Sequence, residues 1–333
     1  MANRARVRLD ALPMGRFVVL CLAIVIAAAG NLGAGQIATS LATVPVFNGE
    51  SCGGVAPDIV VRVLVAARFE SLPTVPAVFE VHRATFLPAG SISAAAQPGP
   101  TAIFVDSGAI TMHTAGTATV TRAVVPGTDA NSDPLLTAGI VSLRYSDQLA
   151  VPEGVAFGAV NEGSVPAVLL VARVVPPASR LLPAFAAAGG PSIAWDLLAD
   201  GVTSEMPPVP AILAVTRVVY AVGAGDQAPS ENAGPLLVAI EAGMIGYRVT
   251  AGVSAVVRVE AETTSLVSSG TEETLLTGDY VVEQWGAISA IRNVGDERAW
   301  VLITTILPTS ESAASAVGHP PTAPDRAAVC ASP

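Results

Sequence analysis

The sequence predicts an all-β fold that consists of two tandem barrels, and three observations support this prediction. First, the chain of 333 residues is longer than a single small core usually requires. Second, 51% of its residues are hydrophobic and only 13% are charged, a composition typical of a chain that folds around a buried core. Third, one pattern of residues occurs twice, which indicates that the chain contains two copies of the same domain.

The repeat is clearest in a segment of ten residues that begins with Gly-Pro and ends with Gly. Residues 99–108 read GPTAIFVDSG, and residues 234–243 read GPLLVAIEAG, at an offset of 135. Residues 76–83 likewise return as residues 210–217 at an offset of 134. Because the offset changes so little, the length differences between the copies fall in loops, where they are tolerated.

We predict one barrel over residues 59–176 and a second over residues 194–309. Each repeat consists of short runs rich in Val, Ile, Leu and Thr, separated by Gly, Pro, Asp and Asn. This pattern is typical of strands in a barrel or sandwich. The runs with the strongest pattern are residues 103–105, 117–124, 148–151 and 167–175 in the first repeat, and residues 237–240, 254–259, 280–283 and 299–307 in the second.

The segment between the two barrels, residues 177–193, is rich in Pro, Ala and Gly and is predicted to be a linker. We also expect one short turn of helix within residues 191–200. No other part of either repeat has a helical period.

The first 35 residues resemble a secretory signal. Four arginines precede or flank an apolar run over residues 17–29, and small residues follow it. We predict that residues 1–35 are removed and that the protein is secreted, either to the extracellular space or to the cell surface. The alternative is an uncleaved segment that anchors the chain, and only then would a membrane be a partner. Residues 36–58 and 310–333 are predicted to be tails outside the barrels.

Export changes how the cysteines are interpreted. Cys52 and Cys330 would be the cysteines of the mature chain, and an oxidising compartment favours a disulfide between them. Two free thiols are the alternative, because the sequence does not show whether the Cα atoms approach within about 7 Å.

The charge of the chain excludes one class of partner. The formal net charge is -10, and the sequence has no lysine and no cluster of basic residues. Binding to a phosphate backbone requires such a cluster, so nucleic acid is not an expected partner.

Turn-forming residues in both repeats have a spacing that resembles the motifs of the cupin superfamily, of which the second is G-x5-P-x-G-x2-H-x3-N. The resemblance covers residues 59–309 and implies two cupin-type barrels, also called double-stranded β-helix or jelly-roll barrels, as in a bicupin. Ser146 and Gln284 depart from the motif at its first glycine and at its proline. Turns between short strands need a positive φ or a side chain that bonds its own backbone, which Gly and Asn provide. The matching scaffold positions are Gly108, Pro152, Gly154, Asn161, Gly243, Gly278, Gly286 and Asn293.

The metal-binding positions of the family are not matched. Cupins typically hold iron, manganese or zinc with three imidazoles and a carboxylate, and the third histidine falls here on Phe157 and on Ser289. The glutamate falls on Thr101 and on Leu236. The resemblance therefore implies that no metal and no other cofactor is bound. The histidine pair falls on Ala95 and Gln97, or on Ala94 and Ala96, in the first repeat, and on Ser230 and Asn232, or on Pro229 and Glu231, in the second.

The substitutions define two candidate ligand pockets. The second would be small and polar enough to hydrogen-bond a neutral ligand, such as a sugar. The alternative is that the side chains merely fill or hydrate the barrel interiors. The pocket candidates are Gln97, Thr101 and Phe157 in the first barrel, and Ser230, Asn232 and Ser289 in the second.

The lost ligands favour a non-catalytic protein that binds a small molecule or another protein, or that has a structural role. The alternative is an atypical cupin enzyme, similar to oxalate decarboxylases or sugar isomerases, with a non-standard or metal-free site. The three histidines, His82, His113 and His319, are scattered, and only His113 is expected on a strand that could face a barrel interior. Paired carboxylates in the second barrel stay open as a catalytic arrangement, among Glu231, Glu241, Asp279 and Glu283.

Overall fold

The structure is a computed structural model that describes residues 58–123, 135–179, 192–226 and 229–309. The predicted signal, residues 36–57 of the predicted N-terminal tail, the predicted C-terminal tail, Cys52, Cys330 and His319 lie outside these residues. In the described ranges, no helix has the length and apolar character required to cross a membrane.

The first repeat contributes nine strands to the described structure, followed by a single 3-10 turn at Pro177–Ser179. These strands are β1 (Ile59–Phe69), β2 (Ala77–Phe86), β3 (Ser91–Ala96), β4 (Thr101–Ser107), β5 (Ala109–Thr121), β6 (Leu135–Arg144), β7 (Gln148–Val151), β8 (Ala156–Val160) and β9 (Ala167–Val175).

The second repeat has strands at corresponding positions, but two long strands of the first repeat are each divided into two. The strands of the second repeat are β10 (Ile193–Thr203), β11 (Ala211–Tyr220), β12 (Ser230–Glu231), β13 (Leu236–Ala242), β14 (Met244–Ala251), β15 (Ser254–Arg258), β16 (Thr263–Leu266), β17 (Glu272–Leu276), β18 (Tyr280–Glu283), β19 (Ile288–Asn293) and β20 (Ala299–Pro308). Strands β14 and β15 take the place of β5, and strands β16 and β17 take the place of β6.

The strand order within each repeat is that of a jelly roll. In the first repeat one sheet has the order β2-β9-β4-β7 and the other β3-β8-β5-β6, with the long strand β5 pairing with both. In the second repeat the orders are β11-β20-β13-β18 and β12-β19-β14-β17. All of these pairs are antiparallel, as two packed Greek keys require. The predicted all-β fold of two tandem jelly-roll barrels is confirmed.

The first strand of each repeat pairs with the sheet of the other repeat. Strand β1 lies antiparallel to β11, and β10 lies antiparallel to β2. Each pairing has a register shift at the same place, between Val63 and Val65 in β1 and between Leu197 and Ala199 in β10. Of the short turn of helix predicted within residues 191–200, only Ser192 has helical conformation, of the 3-10 type, because the residues from Ile193 onward pair with β2 as strand β10. The barrel boundaries at residues 59–176 and 194–309 stay a prediction. They were drawn from the repeat alone and do not take into account that β1 and β10 each pair with the other repeat.

Four apolar clusters lie within the described residues, and three of them are large. The first contains side chains from both large sheets, among them Phe79, Phe104, Leu213 and Leu302, and joins the two repeats. The second fills the first barrel, and the third fills the second barrel around Tyr220 and neighbouring aliphatic side chains. The interiors of the two barrels are thus separate from the layer that holds the barrels together.

The asparagine of the second motif closes the same loop in each barrel. The Nδ2 of Asn161 donates to the carbonyls of Phe86, at 2.9 Å, and Val165, at 2.8 Å, and its Oδ1 accepts from the N–H of Gly163. Asn293 makes equivalent contacts in the second barrel and, like Asn161, is buried. Its partners are the carbonyls of Tyr220, Ala221 and Glu297 and the N–H of Gly295.

The first residue of the motif lies in a turn with left-handed backbone in both barrels. Gly278 has a φ of 93°, and Ser146, the departure from the motif, adopts a φ of 68°. The strain at Ser146 is accompanied by a hydrogen bond of 2.6 Å that its hydroxyl accepts from Arg62 on β1. The other motif glycines, Gly108, Gly154, Gly243 and Gly286, also have positive φ, and Pro152 precedes the turn at Gly154.

Candidate functional site

The interior of the second barrel contains a group of polar side chains, here named the polar cluster. Its centre is the carboxyl group of Glu283, the last residue of β18, which is fully buried. The cluster consists of Asp226, Asn232, Tyr247, Ser254, Glu283 and Ser289.

Neutral donors surround Glu283. The hydroxyl of Tyr247 lies 2.8 Å from Oε1 of Glu283 and 2.9 Å from Oγ of Ser254. The hydroxyl of Ser289 lies 3.0 Å from Oε1 and 3.2 Å from Oε2 of Glu283. The side-chain amide of Asn232 donates to Oε2. Every partner of the carboxyl group is therefore uncharged.

Asp226 is a second carboxyl group beside this network. Its Oδ2 accepts a hydrogen bond of 3.0 Å from the backbone N–H of Ile291. Its Oδ1 is buried and has no hydrogen-bond partner within the described residues. Ile291 follows Ser289 by two positions on β19, so both side chains point to the same face of the sheet.

Burial determines the protonation of both carboxyl groups. It raises the pKa of Glu283, an effect that the hydrogen bonds from Tyr247, Ser289 and Asn232 oppose and that the charge of Asp226 adds to. Burial also raises the pKa of Asp226 to about 6, against the weaker effect of the Ile291 N–H. The pKa of Tyr247 rises for the same reasons, burial first and then the adjacent charge of Glu283.

The pairing registers place the corresponding residues of the first barrel. Thr101 and Leu236 occupy the same position in the two repeats. Val151 pairs with Thr101 and Glu283 pairs with Leu236, so Val151 corresponds to Glu283. By the same comparison, Phe157 corresponds to Ser289. All five residues that correspond to Asp226, Tyr247, Ser254, Glu283 and Ser289 belong to the apolar core of the first barrel: Ile92, Met112, Ala118, Val151 and Phe157.

Two of the predicted pocket residues of the second barrel, Asn232 and Ser289, meet at Glu283. The backbone of the third, Ser230, pairs with Ser289 in the sheet, and its side chain lies outside the described atoms. The sequence contained a signal for the centre of the cluster, because Glu283 aligns with Val151 in the repeat. Tyr247 and Asp226 were not predicted, since their approach depends on pairing between strands.

In the first barrel the predicted pocket residues do not converge on a common partner. The amide of Gln97 donates to the carbonyl of Ala95 at 2.8 Å, and its Oε1 is buried without a hydrogen-bond partner among the described residues. The hydroxyl of Thr101 is 3.3 Å from the carbonyl of Gly99. Phe157 packs in the apolar core. This interior is therefore filled mainly by hydrocarbon.

The residues at the metal-binding positions of the cupin motifs do not fit a transition metal. Phe157 offers no donor atom, and Asn232 and Ser289 are hydrogen-bonded to Glu283. Such ions favour imidazole and thiolate ligands, which these positions do not supply. Within the described ranges, no group of three or more His, Cys, Asp or Glu side chains has the arrangement of a metal site.

The first barrel buries a different set of polar residues. The carboxylate of Glu80 lies 3.2 Å from Nη1 of Arg173 and 3.6 Å from Nε2 of His82, and all three residues are at most 2% exposed. Burial opposes ionisation of Glu80, but His82 and Arg173 outweigh it and hold the pKa of Glu80 below its ordinary value. His113, expected to face a barrel interior, is instead exposed, because its neighbours Met112 and Thr114 take the buried face of β5.

A second charged group lies where the repeats meet. Arg217 binds Asp106 at 2.9 Å and Glu241 at 2.6 Å, and Arg83 binds Glu241 at 2.6 Å. Arg83 corresponds to Arg217 and Asp106 to Glu241, so the group has approximate two-fold symmetry. The four side chains line a groove of about 310 Å³ together with Trp300. Since their charges compensate each other, we interpret the group as a set of ion pairs that holds the two repeats together.

The strand order and the repeated motif residues together decide the fold. The chain has the two-barrel cupin fold. No family model and no curated protein sequence matches the chain.

Solved structures with a similar fold include cupin proteins at low identity. AerE from Microcystis aeruginosa is 13% identical, with 74% of this chain and 98% of that chain covered and a TM-score of 0.40. The 11S globulin from Wrightia tinctoria is 11% identical, with 73% and 84% covered and a TM-score of 0.40. A cupin 2 conserved barrel domain protein from Leptotrichia buccalis is 11% identical, with 76% and 91% covered and a TM-score of 0.32.

Asp226 gives the site a pH dependence that stability measurements can detect. Since folding raises its pKa from 3.8 to about 6, the folded state favours the protonated form. Stability should therefore fall as the pH rises from 4 to about 6 and then stay level. We expect Asp226→Asn to be stabilised over wild type by about 1 to 3 kcal/mol at pH 7, and to gain little at pH 4.

Urea unfolding at both pH values measures this difference. Replacement of the exposed Asp296 by asparagine is the control, because its side chain lies outside the polar cluster. A gain in the Asp226→Asn variant that is equal at pH 4 and pH 7 would contradict the assignment.

Proposed function

We propose that the chain is an exported, metal-free bicupin whose second barrel binds a small polyhydroxylated ligand, such as a carbohydrate, without catalysis. One observation carries the proposal: the polar cluster occupies the interior of one barrel, whereas the same positions are apolar in the other. The first barrel provides a matched internal reference, since both barrels have the same strand order.

The cost of the polar cluster supports a functional role. Burying a carboxyl group among neutral partners costs several kcal/mol, and an apolar interior of similar volume is often more stable. The first barrel demonstrates that this fold accepts such an interior at the same positions. A role in stability alone therefore does not account for Glu283 and its donors, whereas recognition of ligand hydroxyls does.

Metal-free acid–base catalysis is the second candidate function. It is favoured by the two carboxyl groups, because Glu283 and Asp226 both have raised pKa values and the charge of Asp226 adds to the rise at Glu283. An atypical enzyme similar to oxalate decarboxylases or sugar isomerases would then consume the ligand. Detection of turned-over sugar or oxalate after prolonged incubation would favour this candidate over binding alone.

Export stays part of the proposal and rests on the composition of residues 1–35. Secretion into an oxidising medium would also allow Cys52 and Cys330 to pair. Intact mass measured before and after reduction would give both the mature N-terminus and the state of the cysteines.

A variant that gives the second barrel the interior of the first tests the proposal. In Tyr247→Met/Glu283→Val/Ser289→Phe, the three central polar side chains take the residues of the corresponding positions. We expect the variant to fold for two reasons. The smaller side chains at positions 247 and 283 offset the larger one at position 289, and a buried carboxyl group is removed. Binding to a panel of mono- and disaccharides, measured by isothermal titration calorimetry, should be lost.

Arg292→Gln is the matched control, because Arg292 is an exposed residue of β19 that pairs with Glu272 outside the cluster. The control should bind as wild type does. A folded triple variant with unchanged affinity would refute the second barrel as the binding site.

A further inference from the structure

We infer that the ligand of the polar cluster carries a protonated amine beside its hydroxyl groups, as an amino sugar or an amino alcohol does. This inference rests on the proposed function and specifies the class of ligand. The observations that carry it are the balance of hydrogen-bond donors and acceptors in the cluster, and its lack of a cationic partner within the described residues.

The cluster has more acceptors than hydrogens. Tyr247, Ser254 and Ser289 each supply a single hydroxyl hydrogen, Asn232 supplies two amide hydrogens and the backbone of Ile291 one, which makes six. Two ionised carboxyl groups together accept about eight hydrogen bonds, and the hydroxyl oxygens accept more. Tyr247 lies within reach of both Ser254 and Glu283 but can donate to only one of them. Oδ1 of Asp226 is buried and receives no hydrogen bond from the described residues. An ammonium group, with three hydrogens and no acceptor, supplies what is missing.

Other buried carboxylates among the described residues bind an arginine. Glu80 binds Arg173, and Glu241 binds Arg217. Asp147 and Asp279, equivalent residues of the two barrels, are also buried, and they bind Arg122 and Arg258 respectively. Among the ion pairs within 4.0 Å in the described structure, none involves Glu283 or Asp226. A cationic ligand would take the place that arginine takes elsewhere.

The members of the cluster differ in their exposure. Asn232 and Asp226 are half-buried, whereas Glu283 and Tyr247 are fully buried. A ligand that enters past Asn232 would place its cationic end between the two carboxyl groups and its hydroxyls near Ser289. The net charge of -10 also favours the approach of a cation over that of an anion.

This inference changes the sequence-based expectation of a neutral ligand. That expectation rested on Ser230, Asn232 and Ser289, which are all uncharged. Glu283 and Asp226 bring two ionisable groups to the same place, and burial raises the pKa of both. A bound ammonium would lower both pKa values, and binding would then release protons near neutral pH.

Matched pairs of compounds test the inference, because their members differ mainly by an amine in place of a hydroxyl. Glucosamine is compared with glucose, and ethanolamine with ethylene glycol, by isothermal titration calorimetry at pH 7. We expect each amine to bind at least about tenfold more tightly than its neutral partner, as a charge-assisted hydrogen bond to a buried carboxylate allows. Titrations in buffers of different ionisation enthalpy should show proton release.

Glu283→Gln and Asp226→Asn keep the shape of the site while removing one charge each. In both variants the amine should bind no more than about threefold more tightly than its neutral partner, while binding of the neutral compound persists. Thermal unfolding confirms that each variant is folded, and Arg292→Gln is again the control with unchanged preference.

The outcomes separate this inference from the proposed function. Equal affinity for the members of each pair, or tighter binding of the neutral member, would overturn the inference and leave the proposed function in place. Binding of calcium or manganese ions without any binding of amines would also overturn it. Failure of all four compounds and of the saccharide panel to bind would overturn both.

Discussion

Alanine in place of Gly99 or Gly234 is expected to destabilise the protein by about 3 to 5 kcal/mol, a large effect for a single methyl group. A Cβ atom on Gly99 would overlap the backbone carbonyl of Val174, and one on Gly234 would overlap that of Ile306. The obstacle is backbone of the adjacent strand, which does not move aside as a flexible side chain would. The equivalent positions should respond alike, because both glycines begin the same turn in their repeat.

Chemical denaturation of the purified variants measures the effect. Gly154→Ala is the control, since its Cβ would meet no atom within 4 Å and the substitution only introduces an L-residue at a φ of 79°. That strain costs about 1 to 2 kcal/mol. If Gly99→Ala and Gly154→Ala were equally stable, the close approach of the strands at Gly99 would be contradicted.

The repeat allowed the fold to be predicted because the turns and strands have local signals. Gly99 and Gly234 are 135 residues apart, and so are the strands that follow them, β4 and β13. The predicted runs over residues 148–151, 167–175 and 280–283 coincide with β7, β9 and β18. Such signals lie within a few neighbouring residues, so a single sequence contains them.

The strand exchange and the polar cluster could not be predicted in the same way. Strand β10 carries Asp196, Asp200 and Gly201 within a short segment, which weakens its local strand pattern, yet pairing with β2 determines its conformation. Glu283 and Tyr247 lie 36 positions apart in the sequence and meet only because β14 and β18 face the same interior. Contacts of this kind depend on the register between strands that are distant in sequence.

Removal of one partner of the buried ion pair in the first barrel is the other change with a large expected effect. We expect Arg173→Met to cost about 3 to 5 kcal/mol, because the carboxylate of Glu80 would remain buried without its arginine. His82, whose Nε2 lies 3.6 Å away, would then be its remaining partner among the described residues. Urea denaturation at pH 7 gives the change in the free energy of unfolding.

The double variant Glu80→Leu/Arg173→Met separates the value of the pair from the cost of breaking it. Replacing both charges by hydrocarbon should restore most of the stability lost in Arg173→Met, because the interior of this barrel is mainly apolar.

The pH profile provides a second test. Since folding lowers the pKa of Glu80 from 4.5, the ionised pair stabilises wild type above that pH, and this stabilisation should be lost as the pH falls through the folded value. The double variant should not show this loss. If Arg173→Met and the double variant were equally unstable, the carboxylate of Glu80 would not be the source of the cost.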